Sequence, residues 1–334
     1  MPFFGRQTLF VAVFVLVTSF FCKLLLHFDI NRRSYNHVPG ECGTIPNLPG
    51  ARDFATTTTH GKLFMIVNPI TEISSTVTHL FTYDADHKTA KEVDLDKKRN
   101  LTALQLYRDK LFAYDELSTN VLVYKISETN ETLKLRKRFR NRMFKGLIGL
   151  APMNSASFYY IKNEVYESET IKIFSRFFPF PKTGQLLLFE KQKSKLIRDI
   201  AYPTDLAYDD FKKVLYVASY SENSIITYSG ENSDKKMTYF DIGCSPTSIW
   251  LDIDGSLLVT CHPIRIKVLV SFLNPELKNP SMVLRITIGK KPDDLKISQL
   301  YSNDGATISE AHRSVRAGRN VLISNSKFIL NCEI

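Results

Sequence analysis

From residue 42 onward the chain is built of short β-rich segments that recur in units, and this recurrence limits the available folds more than any other feature. Strand-length runs such as Lys62–Val67, Lys110–Tyr114, Val121–Ile126, Val214–Ser219 and Leu257–Cys261 are rich in β-branched and aromatic residues. Turn signals such as Asp254-Gly255 and Asp304-Gly305 separate them. Similar units begin at Thr102-Ala103-Leu104, Gly146-Leu147-Ile148, Thr204-Asp205-Leu206, Thr247-Ser248-Ile249 and Lys296-Ile297-Ser298. Their spacing of roughly 43 to 57 residues suits propeller blades. With the segment from Cys42 to about Asp96 they make six. The pattern predicts an all-β, six-bladed β-propeller over residues 39–334, closed by combining N- and C-terminal strands in one sheet.

Ahead of this body lies an apolar stretch. Residues 1–7 read as a short cytosolic tail, 8–28 as an uncleaved signal-anchor transmembrane helix, and 29–38 as a linker. A cleaved signal peptide fits less well, because the best site, at Val17 and Ser19, is followed by bulky Phe20 and Phe21. Orientation is contested by the charges: Arg6 precedes the span, whereas Lys23, Arg32 and Arg33 follow it. Sequons at Asn100-Leu101-Thr102 and Asn130-Glu131-Thr132 favour a lumenal or extracellular body. That placement, in the endoplasmic reticulum or at the cell surface, excludes nucleic acid as a partner despite the net charge of +10. The densest basic run, Lys134 to Arg142, has cations at alternate positions and fits a strand with one solvated face, Leu135 and Phe139 lying on the other.

The C-terminal quarter carries a family likeness. Leu257-Leu258-Val259-Thr260-Cys261-His262-Pro263, Val283–Ile286, Gln299–Gly305, Val321–Ser326 and Leu330–Ile334 resemble, in order and spacing, the end of the paraoxonase/arylesterase family. The likeness extends back to about Pro39. It implies a propeller whose tunnel holds a catalytic and a structural calcium beside a histidine pair, and which hydrolyses lactones, aryl esters and some phosphotriesters. It also favours a bridge between Cys42 and Cys332, which bracket the folded body. Cys261 reads as a buried free thiol, with a Cys244–Cys261 bridge as the alternative.

Carried over residue by residue, the likeness removes the chemistry. The calcium positions fall on Arg52, Asp53, Lys145, Gly146, Thr204, Thr247 and Ser248, and the catalytic histidines on Thr102 and on Asp115 or Glu116. Calcium takes six to eight oxygen ligands and compensating carboxylates. The family's catalytic set carries a charge of about −2, and the set Arg52, Lys145, Thr204, Thr247 and Ser248 about +2, a large change at short range. No cofactor is expected. His262 is a remnant that reads as a hydrogen-bonded structural histidine.

The resemblance is strongest to a membrane-anchored nematode branch. It implies a non-catalytic protein that assists folding, assembly or surface expression of degenerin/epithelial sodium channel subunits. Two alternatives remain open. A divergent calcium-dependent hydrolase would gather Asp53, Asp115, Glu116, Asp205 and His262 around one point. A lipid- or hydrophobic-ligand-binding propeller would use the insert from Tyr166 to Lys182, whose Phe174, Phe177, Phe178 and Phe180 form a lid or membrane contact.

Overall fold

The computed structural model describes residues 3–56, 61–68, 77–95, 97–127, 132–163, 168–178, 182–229, 236–289 and 295–334. Six four-stranded antiparallel sheets follow one another along the chain. Their innermost strands are Ala51–Thr56, Leu101–Tyr107, Leu147–Pro152, Pro203–Asp209, Ser245–Leu251 and Arg313–Ala317. Each innermost strand contacts the next, and the sixth contacts the first, so the ring is closed. Apolar side chains from facing sheets fill the wedges between blades, as Phe139 of blade 2 does against Phe158 and Phe189 of blade 3.

Closure has the expected form. The N-terminal strand Cys42–Thr44 is the outermost strand of blade 6, beside Ile329–Glu333, with Cys42 directly opposite Cys332. The two are disulfide-bonded across a sequence separation of 290. A second bridge joins Cys244 and Cys261, so Cys261 is not a free thiol. Antiparallel pairing in blade 5 sets Pro246 opposite Cys261, which brings Cys244 within reach. The apolar run around Cys261 gives no hint of that pairing.

Two further expectations change. Lys296-Ile297-Ser298 does not open the last blade. It lies in Leu295–Asn303, the outermost strand of blade 5, where alternation on an exposed strand imitates a new repeat. Blade 6 begins instead at Arg313. The basic strand Leu133–Arg140 is not one-faced either. A register shift against its neighbour, between Val123 and Tyr124, sends Phe139 into the core facing blade 3 and Leu135 into the core facing blade 1. Cations therefore occupy both faces of this outer strand.

Helix α1 (Phe3–His27) contains a 20-residue apolar stretch, Thr8–His27, of mean hydropathy 2.5 with none of it buried, long enough to cross a membrane. The segment after it is tied to blade 5. His37 exchanges two backbone hydrogen bonds with Ser302, both 2.8 Å, and the Asp304 amide donates to the Asn36 side chain. Phe28, just past α1, packs with Phe177 of α2 (Glu169–Phe177), Val268 of α3 (Arg265–Ser271) and Tyr220. The end of the apolar helix is thus built into one face of the wheel.

Because the Cys42–Cys332 bridge closes nearly the whole body, removing it frees the unfolded chain and loosens blade 6. The double variant Cys42→Ser/Cys332→Ser is expected to lose about 2–5 kcal/mol. The loss should appear as a lower urea midpoint, with earlier exchange of backbone amides in Asn320–Ser324 than elsewhere.

Candidate functional site at the channel axis and mouth

The first five innermost strands each carry a one-residue register shift near their start. It falls at Arg52, Thr102, Ile148, Thr204 and Thr247. A bulge re-aims its side chain, and Arg52, Ile148, Thr204 and Thr247 line one cavity of about 410 Å³ at the channel mouth. Four of the positions carried over from the family therefore form an equivalent set. Lys145 does not belong to it: it is exposed, ahead of the innermost strand of blade 3, and the residue at the equivalent place is Ile148. Gly146, at φ +79°, makes the turn into that strand.

One residue deeper, the side chains meet at the axis. Asp53 and Asp205 are both buried, and Arg313 of blade 6 lies between them. Its Nε is 3.4 Å from Asp53 Oδ1, and its other end bonds Asp205 Oδ2. The remaining capacity of the carboxylates goes to backbone amides. Asp53 accepts from Phe54 (2.9 Å) and from Leu104 of blade 2 (2.7 Å). Asp205 accepts from Leu206 and from Ile249 of blade 5, both at 2.9 Å. Beside them Ser248 donates to Thr260 and Thr260 to Ser314. Blade 3 contributes Gly149, where a Cβ would stand 3.0 Å from Leu206 and 3.3 Å from the Asp205 carboxylate. Only about 20 Å³ of space remains, room for one water.

The charges hold one another. Burial raises the pKa of Asp53 against the pull of Arg313. Burial also pushes Asp205 up to about 6, with Arg313 opposing and Asp53 reinforcing. Burial opposes the charge of Arg313, yet Asp205 and then Asp53 hold its pKa above the ordinary value. Every carboxylate oxygen accepts at least one N–H, and a guanidinium fills the space between them. These residues do not fit calcium, which needs six to eight oxygens turned toward it.

The other acids lie apart. Asp115 forms a buried pair with Arg99 at 3.2 Å and accepts from Ser118. Glu116 is exposed and accepts from Asn100, whose side-chain oxygen accepts from Arg52 at 3.1 Å. A glycan on Asn100 would replace one of the two Nδ2 hydrogens beside this contact; Asn130 lies outside the described residues. Thr102 has a buried hydroxyl with no partner. Among the described residues no group of three or more His, Cys, Asp or Glu could hold a metal ion.

His262 sits above the axis, 3% exposed, with Nδ1 3.2 Å from the Tyr220 hydroxyl. Burial, then the charges of Arg176 and His312, pushes it down to about 3. His312, which bonds the Ala51 carbonyl at 3.0 Å, is pushed down to about 4 by burial and then Arg313. Both are neutral at physiological pH.

Helix α2 splits the aromatic insert. Phe174 is exposed and stacks on Phe178, whereas Phe177 is fully buried against Tyr220 and Phe272. Phe177 is thus a core residue, because a nine-residue amphipathic helix turns it inward. Phe180 lies outside the described residues. The end of the anchor joins here: His27 donates from Nε2 to the Phe177 carbonyl (2.7 Å) and accepts at Nδ1 from the buried Arg265 (3.2 Å), whose Nε also donates to Ser245. The sequence reading missed Arg313. The available signal was the repeated small polar–apolar pair Asp53-Phe54, Asp205-Leu206, Ser248-Ile249, to which Ser314-Val315 belongs.

Comparison with known proteins agrees with this architecture. The sequence model described as Arylesterase matches residues 13–334. Mechanosensory abnormality protein 6 of Caenorhabditis elegans is 23% identical over 366 residues, covering 99% of this chain and 96% of that protein. A luciferin-regenerating enzyme superposes with a TM-score of 0.57 at 11% identity, over 88% of this chain and 95% of its own. A gluconolactonase from Xanthomonas campestris gives 0.55 at 11% identity, over 90% and 98%. At these identities the two structures support the fold alone.

Two outcomes follow from the electrostatics. Arg313→Met leaves two carboxylates buried without their cation and should cost about 3–5 kcal/mol in chemical denaturation. Adding Asp53→Asn and Asp205→Asn should recover most of that loss. The second outcome concerns pH. An unfolded histidine takes a proton near 6.5, but His262 and His312 resist until about 3 and about 4. Stability is therefore lost as pH falls below about 6.5, with a limiting slope of about 1.4 kcal/mol per pH unit for each histidine. Asp205 acts oppositely. Its raised pKa adds stability at low pH that disappears as pH rises through about 6, and Asp53, also raised by burial, acts in the same sense, so the two carboxyls offset part of a loss whose histidine window reaches from about 6.5 down to about 3. His262→Gln/His312→Gln should abolish the acid loss in a plot of midpoint against pH, whatever its effect at pH 7.

Proposed function

We propose that this chain, which belongs to the arylesterase family, works without hydrolysis, as a membrane-anchored propeller that acts by contact with another protein. The observation that supports this most directly is the guanidinium of Arg313 seated between Asp53 and Asp205. A hydrolase of the calcium type needs an electrophilic ion at the axis to polarise a carbonyl and stabilise the developing oxyanion. Here the axial cation is a side chain, paired with two aspartates and donating also to the Arg52 carbonyl, and threonines and a serine stand at three of the remaining positions. No oxygen-rich cradle and no adjacent base are left to make a nucleophile. His262 remains as a neutral imidazole bonded to a tyrosine.

The apolar helix α1 is compatible with single-pass anchoring, and the relative in Caenorhabditis elegans carries the name of a mechanosensory abnormality. We take the client to be degenerin/epithelial sodium channel subunits, whose folding, assembly or surface expression the propeller assists from the lumenal or extracellular side. A wheel with a metal-free axis and a fixed anchor suits that role, since it presents a rigid surface at a set height above the bilayer.

The test is co-expression in a heterologous cell. Surface biotinylation of channel subunits should rise several-fold with the full chain, and should rise equally with His262→Gln. Unchanged surface levels across the channel family would refute the client. Calcium-dependent hydrolysis of phenyl acetate or a lactone by the purified protein, lost on chelation, would refute the non-catalytic reading.

A further inference from the structure

The mouth cavity remains to be explained. At about 410 Å³ it lies within the usual range of small-ligand sites, and it is open at the face where α1 joins the wheel. Its wall carries Arg52, Arg176, His262, His312 and Arg313, together with Tyr202, Tyr220 and a single carboxylate, Glu310. Arg313 is committed to the aspartates beneath. Glu310 is committed elsewhere, since its Oε1 accepts from Ser271 and from Asn279. Two cations remain with capacity to spare.

Arg176 is the more telling of them. Its guanidinium rests over the Tyr220 ring at 4.8 Å, with Phe272 and Phe177 at 5.7 and 5.8 Å, and it reaches the Tyr220 hydroxyl. Its Nε is buried with no hydrogen-bond partner. Three aromatic faces fix the planar group without neutralising it. Arg52 makes one bond, to Asn100, and feels Glu116 and Asp53. His262 takes no part, since its Nε2 is sealed from solvent and turned to the Ala311 carbonyl. Cations left short of partners on a cavity wall are incomplete until something supplies acceptor oxygens. The tyrosines, Ile148 and Pro203 add apolar wall.

We infer that the mouth cavity binds an anionic oxygen group, a carboxylate or a phosphate, borne on a small apolar body, with Arg176 and Arg52 as its charge partners. The group is free in solution or is the headgroup of an acidic lipid; the position of the cavity beside the anchor admits either source. No bond is made or broken in the ligand. The inference goes beyond the client-binding reading and has a separate readout.

The full chain is placed in nanodiscs of phosphatidylcholine and titrated calorimetrically with 4-phenylbutanoate and with inorganic phosphate. Discs containing phosphatidylserine, read by the thermal midpoint, form the second arm. Saturable binding in the first arm assigns a soluble ligand; a response only to phosphatidylserine assigns the headgroup. In whichever arm responds, Arg176→Gln should weaken binding about tenfold or more, the effect of one lost charge-assisted contact. Arg52→Gln should act in the same direction, and Arg176→Lys should retain part of the affinity. Arg136→Gln/Arg138→Gln/Arg140→Gln, which removes more charge from the distant basic strand, should leave it unchanged. The inference is overturned by an absence of response in both arms. It is equally overturned if the basic-strand variant loses binding while Arg52→Gln keeps it, the latter deciding the matter should Arg176→Gln fail to fold.

Discussion

A single guanidinium ties the wheel together at its axis. Arg313 comes from blade 6, Asp53 from blade 1 and Asp205 from blade 4, and the two aspartates also accept amides from blades 2 and 5. Blade 3 takes part through Gly149, whose missing side chain leaves space for Asp205 and Leu206. Five blades thus meet within one short hydrogen-bonded cluster, and blade 3 gives it room. Taking three charges out of water is expensive, and the Coulomb return alone seldom exceeds the loss. Complete satisfaction makes the cluster tolerable, since every carboxylate oxygen has a donor. Its structural consequence is registry. A blade displaced by one residue at the axis would strand a charge, so the cluster selects one alignment of six similar sheets.

The same logic operates at the rim, with Arg265 in place of Arg313. This arginine, 1% exposed, collects His27 from the anchor, Ser245, Asn223 and the Ser221 carbonyl. Phe28 lies beside it in an apolar cluster with Phe177 and Tyr220. The junction is therefore packed and hydrogen-bonded, and the residues after α1 continue as a strip bonded to blade 5. A flexible tether would let the wheel tumble. This junction instead holds the channel mouth toward the side from which α1 departs, with Phe174 and Ile171 exposed on the same side.

Much of this was legible in the sequence. Strand runs such as Lys62–Val67 and Val214–Ser219 have the bounds that their composition suggests, because alternation and β-branching report burial directly. The six-fold count also held, though its last unit was misplaced. Leu295–Asn303 has the alternation of a strand but sits at the outside of blade 5, and nothing local distinguishes an outer strand from an inner one. The site was harder. Arg52, Thr204 and Thr247 came from the family resemblance and all three fall on bulges, whereas Lys145, carried over in the same way, lies three residues before the bulge at Ile148. Arg313 was missed because its role depends on two aspartates that are distant in sequence and converge only when the ring closes. The second disulfide is local to blade 5 and was obscured instead because the apolar run around Cys261 reads as buried strand whether or not its thiol is bonded.

An internal cation differs from a bound one in a way that bears on how such a protein operates. A fold held by calcium gains stability as RT ln(1 + [L]/Kd), so its integrity follows the free ion concentration. A fold held by Arg313 has no such term. Its cation is at unit occupancy wherever the chain is, its entropy is already spent in the polypeptide, and its charge cannot exchange with solvent. The exchange has a chemical consequence: a guanidinium bonded on both sides has no open coordination position and cannot accept a carbonyl oxygen as a metal does. At the axis a resident guanidinium thus supplies positive charge without Lewis acidity. The mouth above the axis, with Arg52 and Arg176 on its wall, is where the channel has room for a ligand.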